Sequence, residues 1–264
     1  MVDTAELLAD LDAESAEVDA LVAGLSDVDW ARPTPAAGWT IAHQIAHLSW
    51  TDHAALLAAT DEDAFAIHLM NGVAEPLSMV DRGAEEYLAP PPELLSRWRS
   101  GRQMLHDVIA DVPPGARLPW YGTAMSANSM VTARLMETWA HGLDIAEALG
   151  VTRTPTARLR HIAYLGFRTL GNGFSAHGRD VPAEPVRVEL STPDGRLWTF
   201  GPDDARNRLV GPALDFCLLV TQRRHPADLA LTATGPVAAE WLTVAQVFAG
   251  PPGAGREPTT VTPA

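Results

Sequence analysis

The sequence predicts a mainly α-helical protein, an N-terminal helical bundle followed by a smaller α+β unit. Three observations carry this. Apolar residues recur at helical spacing through most of positions 4–150. Strand-length apolar runs and a strong turn signal, Pro193-Asp194-Gly195, first occur well after Gly150. Histidines and a glutamate lie inside two otherwise apolar helical stretches, as in bundles that build a metal site from facing helices.

Positions 4–25 carry Leu7, Leu8, Leu11, Val18, Leu21, Val22 and Leu25, the spacing of an amphipathic helix. Asp3 or Thr4 caps its start and Ser26-Asp27 ends it. Two prolines and Gly38 make 30–39 a loop. Thr40 is the expected N-cap of a helix to about position 60. Asp61-Glu62-Asp63 opens another helical stretch to about 89, broken near Pro76. Pro90-Pro91-Pro92 reads as a turn, and 93–111 as helix again. A Pro/Gly-rich loop over 112–122 carries Trp120 and Tyr121. The last bundle helix starts near Ser126 and stops at Gly150, a favourable residue just past a helix end.

Beyond Gly150, Thr154-Pro155 opens a helix to about 172, followed by the flexible Gly171-Asn172-Gly173. Strands are expected at 186–190, 197–200 and 229–233, and helices at 213–220 and 237–248. The predicted domains are therefore a bundle over 1–150, a connecting helix and linker over 151–178, a small α+β domain over 179–250 and a flexible tail over 251–264.

Composition narrows the function. Net charge is -14 with no basic stripe, which argues against nucleic acid and anionic membrane as partners. All 19 positive side chains are arginine, so chemistry that needs a lysine is excluded. That bias, with abundant Ala, Gly and Pro, points to a GC-rich bacterial genome. The single Cys217 forms no intramolecular disulfide, and its apolar run lacks the electropositive setting of a reactive thiolate. The N-terminal stretch is acidic, unlike a signal peptide, and no apolar run is long enough to span a membrane. A cytoplasmic protein is the expectation.

The first functional stretch is Gly38-Trp39-Thr40-Ile41-Ala42-His43-Gln44-Ile45-Ala46-His47-Leu48. The second is Arg134-Leu135-Met136-Glu137-Thr138-Trp139-Ala140-His141-Gly142-Leu143-Asp144. Glu137 and His141 stand four apart and project from one face. A carboxylate in an apolar bundle costs several kcal/mol unless it is paired or holds a cation. Glu137, His141 and one histidine of the first stretch would make a His2Glu set, a zinc ligand set with a position left open for chemistry. The alternatives are buried, hydrogen-bonded histidines and a local ion pair of Glu137 with Arg134.

Trp39-Thr40, then His47-Leu48, with Glu137-x-x-x-His141-x-x-Asp144 late in the bundle, resembles the DinB-like metalloenzyme superfamily. Within it the chain is most similar to the mycothiol-dependent maleylpyruvate isomerase family. The resemblance covers the bundle well and the second half more loosely. It implies a DinB-like four-helix bundle with zinc held by His47, Glu137 and His141. His43 then stands outside the ligand set, as a supporting, pocket or structural residue. Asp144 would orient a ligand imidazole or serve helix packing. The family's second domain supplies an arginine to its active site, and Arg223 or Arg224 is the candidate; solvated arginines ending a helix are the other reading. Trp120 and Tyr121 would roof the site or simply pack.

The implied function is a zinc-dependent isomerase or thiol transferase, with another divalent metal as the variant. It would activate a small-molecule thiol such as mycothiol toward a small carboxylate-bearing substrate. The second reading is a metal-dependent hydrolase, lyase or cyclase, using metal-bound water or Lewis-acid activation. The third is a non-enzymatic metal-binding or ligand-sensing protein. Small molecules are the expected partners, the chain being a monomer or homodimer. The GC-rich composition agrees with the actinobacteria that make mycothiol.

Overall fold

The structure, a computed structural model, describes residues 3–73, 78–192, 194–253 and 255–259. The expected break near Pro76, residue Pro193 of the expected turn and part of the tail lie outside these. The chain divides into two compact units, Met1–Arg153 and Thr154–Ala264.

In the first unit, helix α1 (Thr4–Val22) starts at Asp3, whose carboxylate accepts the Ala5 N–H. Ser26 does not end a helix but starts one. It caps the single turn α2 (Asp27–Trp30) in a reciprocal capping box with Asp29. Helix α3 (Ile41–Thr60) follows Thr40. Then come α4 (Glu62–Val73), α5 (Met79–Glu86), α6 (Pro91–Ala110) and α7 (Ala127–Leu149). Pro91 and Pro92 lie inside α6 rather than in a turn before it. The first helical turn has no use for their missing N–H groups, and proline's fixed φ suits it. Gly150 ends α7 at φ 70°, the left-handed conformation glycine adopts without penalty.

The four long helices form the bundle, with α1 packed on α7 and α6, and α3 packed on α6 and α7. Two apolar clusters fill it. One holds Leu7, Ala54, Phe65, Ile109 and Met130; the other holds Val22, Ile41, Ile45, Leu94, Trp98 and Ile145. Between these stretches α3 and α7 carry buried polar residues, His47 and Asp52 on one, Arg134, His141 and Asp144 on the other. A fold that could fill this layer with leucine instead keeps ionisable groups there. Burial of that kind is costly without a use.

In the second unit, α8 (Leu159–Arg168) starts later than Thr154-Pro155 suggests. A further helix, α9 (Leu170–Ala176), runs through Gly171-Asn172-Gly173. Gly173 is there for close packing: a Cβ on it would stand 2.5 Å from the Val244 carbonyl oxygen. Strands β1 (Val186–Ser191), β2 (Leu197–Phe200), β3 (Asn207–Pro212) and β4 (Thr232–Thr234) form one sheet in the order β2-β1-β3-β4. The β1–β3 pair is parallel and the outer pairs are antiparallel. Helices α10 (Ala213–Val220) and α11 (Pro236–Val244) complete the unit, with Phe216 meeting Trp241 edge-on at 5.5 Å. Burial pushes the Cys217 thiol well above its usual range, which leaves it an inert core residue. Among the described residues, no helix is long and apolar enough to cross a membrane.

Candidate metal centre

Helices α3 and α7 face each other so that His47, Glu137 and His141 converge. One donor atom from each lies within 4.8 Å of the others, the one such group of three among the described residues. The Glu137 Oε2 atom stands 3.1 Å from His141 Nε2 and 3.5 Å from His47 Nε2. Among the described residues no arginine forms an ion pair with this carboxylate; Arg134, the local candidate, lies instead 3.9 Å from Asp52 on α3.

The electrostatics suit ligands. Burial pushes His47 down to about 4, reinforced by His141 and opposed by Glu137, so its imidazole is neutral at physiological pH. Burial alone would raise Glu137. The hydrogen bonds from His141 and His47 outweigh it and hold the carboxyl well below the usual carboxylate range. A neutral His47 imidazole and an ionised Glu137 carboxylate are protonation states that metal binding requires.

His141 is oriented by a residue the sequence reading passed over. Its Nδ1 hydrogen-bonds the Gln44 side-chain oxygen, while the Gln44 amide nitrogen donates to Thr34 Oγ1 at 2.8 Å. With the amide fixed this way Nδ1 carries a proton, and Nε2, 3.1 Å from Glu137 Oε2, is the nitrogen that would turn from that hydrogen bond to an ion. Gln44 precedes His47 by three positions, the spacing of one helix face, and that was the available signal. The Asp144 carboxylate is buried one turn beyond His141, and the orienting acceptor at Nδ1 is Gln44.

His43 is committed elsewhere. Its Nδ1 accepts the Thr40 N–H at 3.3 Å and lies 2.8 Å from the Thr40 hydroxyl, which closes the start of α3. Trp39 covers the centre. Its ring stacks on His141 at 6.0 Å and meets His47 at 5.3 Å, and its Nε1 donates to Asp81 of α5 at 2.8 Å. Trp50 packs on the far side of His47 at 5.8 Å. Gly83 lets it: a Cβ there would come within 2.4 Å of the indole.

Trp120 and Tyr121 sit half-buried in an aromatic group with Phe65 and His68. The Tyr121 hydroxyl bonds His68 Nε2 at 2.6 Å, and burial pushes the phenol up to about 12. Arg223 and Arg224 belong to the second unit, just past α10. Arg223 donates to the Thr221 carbonyl at 2.8 Å. The preceding Gln222 holds φ 56°, a left-handed position rarely given to a non-glycine residue.

A pH dependence follows from His47. Its folded value of about 4 lies below the ordinary 6.5. Between those values the unfolded chain takes up a proton that the metal-free folded chain does not. Stability is therefore full above about pH 6.5 and falls as pH drops toward 4. Denaturation midpoints of metal-free protein between these limits should show that decline, and His47→Gln should flatten it.

Comparison with known proteins is consistent with this geometry. The family profile of the mycothiol maleylpyruvate isomerase N-terminal domain matches residues 11–146. A profile for wyosine base formation matches residues 182–234. Two proteins from strains of Mycobacterium tuberculosis, both named only as uncharacterized, are 55% identical over 257 residues, covering 97% of this chain and 100% of theirs. A crystal structure of the mycothiol-dependent maleylpyruvate isomerase superposes with a TM-score of 0.58 at 15% identity, covering 90% of this chain and 96% of that one. A histidine-to-alanine mutant of that enzyme gives 0.59 at 14%. At such identities the likeness is one of fold.

Proposed function

The chain belongs to the mycothiol maleylpyruvate isomerase N-terminal domain family, and from that premise we propose that it is a zinc-dependent enzyme that uses a small thiol. The substrate would be a small unsaturated acid and the reaction an isomerisation or thiol transfer. The observation that carries this is the convergence of His47, Glu137 and His141 within 4.8 Å, with His141 oriented from behind by Gln44.

The donor set fits a divalent ion. Two imidazole nitrogens and a largely buried carboxylate oxygen face one another, and three protein donors are the number a catalytic zinc site uses. An ion held there would supply Lewis acidity, which makes a thiol a nucleophile near neutral pH. The chain's own residues do the rest. Gln44 fixes the His141 tautomer, and the low proton affinity of His47 keeps its lone pair available. Trp39, tied down by Asp81, shields one side of the imidazole pair from water. Trp120 and Tyr121 would line the approach for the organic part of the substrate.

The test is metal analysis of the purified protein together with conversion of maleylpyruvate, with and without mycothiol. Turnover that depends on both metal and thiol is the expected result. Metal without any thiol-dependent turnover would leave a hydrolytic or sensing role for the same centre.

A further inference from the structure

One buried cation is left out of the centre described above. Arg134 lies on α7 one turn before Glu137 and is only 4% exposed. Its Nε and Nη1 atoms are buried with no hydrogen-bond acceptor. Among the described residues its anionic partner is Asp52, whose Oδ1 lies 3.9 Å from Nη1, beyond hydrogen-bond reach. The guanidinium carbon sits 5.5 Å from the centre of the half-buried Trp120 ring. Its charge is felt at Glu137, His47 and Tyr121 alike, which places it among the metal donors and the aromatic group.

A buried guanidinium is stabilised only when its protons meet acceptors, and here two of its three nitrogens meet none. Asp52 is a poor fixed partner. It is buried, and burial raises its carboxyl to about 6, with Arg134 and Arg102 pulling it back down. A structural arginine would be expected in a close, two-pronged pair, as Arg99 makes with Asp19 at 2.6 and 2.7 Å on the surface of this same bundle. Arg134 is instead held at arm's length by its counter-ion and covered by one aromatic ring.

We infer that Arg134 is an anion-binding residue of the bundle, which takes the carboxylate of a small acid beside the metal donors while Asp52 serves as a loose counter-ion that the acid replaces. This rests on the reading of the centre as an enzyme site for an acid, and it adds a positioning residue within the bundle itself. The Trp120–Tyr121 turn is then the cover that must shift for the acid to reach the guanidinium.

The test is calorimetric titration of the full-length, metal-loaded chain with maleate, a small dicarboxylate, alongside metal analysis. Arg134→Met should weaken maleate at least tenfold with metal content unchanged, and Arg134→Lys should fall between the two, keeping charge without the planar fork. Asp52→Asn should bind maleate severalfold more tightly, because the guanidinium loses its competitor. A purely structural ion pair would give the opposite: Asp52→Asn weakening maleate as Arg134→Met does, or neither changing it. Either result overturns the inference, as does a parent chain that does not bind maleate. If Arg134→Met fails to fold, the lysine and asparagine variants still decide by the sign of their shifts. A parent without metal whose maleate binding nonetheless depends on Arg134 would overturn the metal reading and leave this one standing.

Discussion

Alanine at His47, Glu137 or His141 is expected to leave the purified chain without its divalent metal. Each of the three supplies one donor to a group closed within 4.8 Å, and the described residues offer no fourth that could take its place. Loss of an outer partner typically weakens metal binding about 10–100-fold, and Gln44→Ala should fall in that range. Loss of a direct donor should exceed it. Because an ion that binds only the folded chain stabilises it by mass action, a hundredfold loss of affinity removes about 2.7 kcal/mol from a chain near saturation. Metal content after desalting, with melting curves at fixed metal concentration, reads both effects. His43→Ala should keep its metal, since the His43 Nδ1 is occupied at the start of α3. Full occupancy in all three donor variants would end the assignment.

The second large effect is on stability. Trp98→Ala should cost the first unit about 3–5 kcal/mol, the usual range for removing a large buried aromatic. Trp98 on α6 is fully buried in the cluster that includes Ile45, Leu48 and Ile145. The Arg102 guanidinium lies 4.0 Å over its ring, so the substitution also strips a half-buried cation of its aromatic face. Two compact units need not melt together. The midpoint should therefore be followed by a probe confined to the bundle, such as hydrogen exchange of the α6 backbone amides. A shift below 1 kcal/mol would mean that α6 is not held as tightly as its burial indicates.

The helices of the bundle were legible because their signals are local. Thr40 before an apolar period and Gly150 after one mark the limits of α3 and α7. That Glu137, His141 and one histidine of α3 would meet was legible from their spacing, and the family resemblance pointed to His47 rather than His43; His47, Glu137 and His141 do converge. What could not be read depends on partners distant in sequence. Gln44 looks like an ordinary helix residue until His141, 97 positions on, is placed against it. Arg134 looked like a neighbour for Glu137, but it turns toward Asp52 on the other helix. Strand β3 was passed over because Asn207-Arg208-Leu209-Val210 shows little apolar alternation. Its place between β1 and β4, with Leu209 buried, is set by the sheet rather than by its own pattern. Pro91-Pro92 misled for the opposite reason, a local rule applied one turn too late.

The Gln44 amide has both ends spoken for, one by the Thr34 hydroxyl and the other by His141. Thr34 lies in the loop that also delivers Trp39, and the Thr34 N–H and hydroxyl both bond the Trp39 carbonyl. A swing of that loop cannot leave the imidazole untouched. The same motion that uncovers the centre would tug on one of its donors through a single rigid amide. If an ion is held at this centre, its release and the movement of the Trp39 loop would share this one joint, so a variant that loosens the loop is expected to exchange metal faster even with every donor in place.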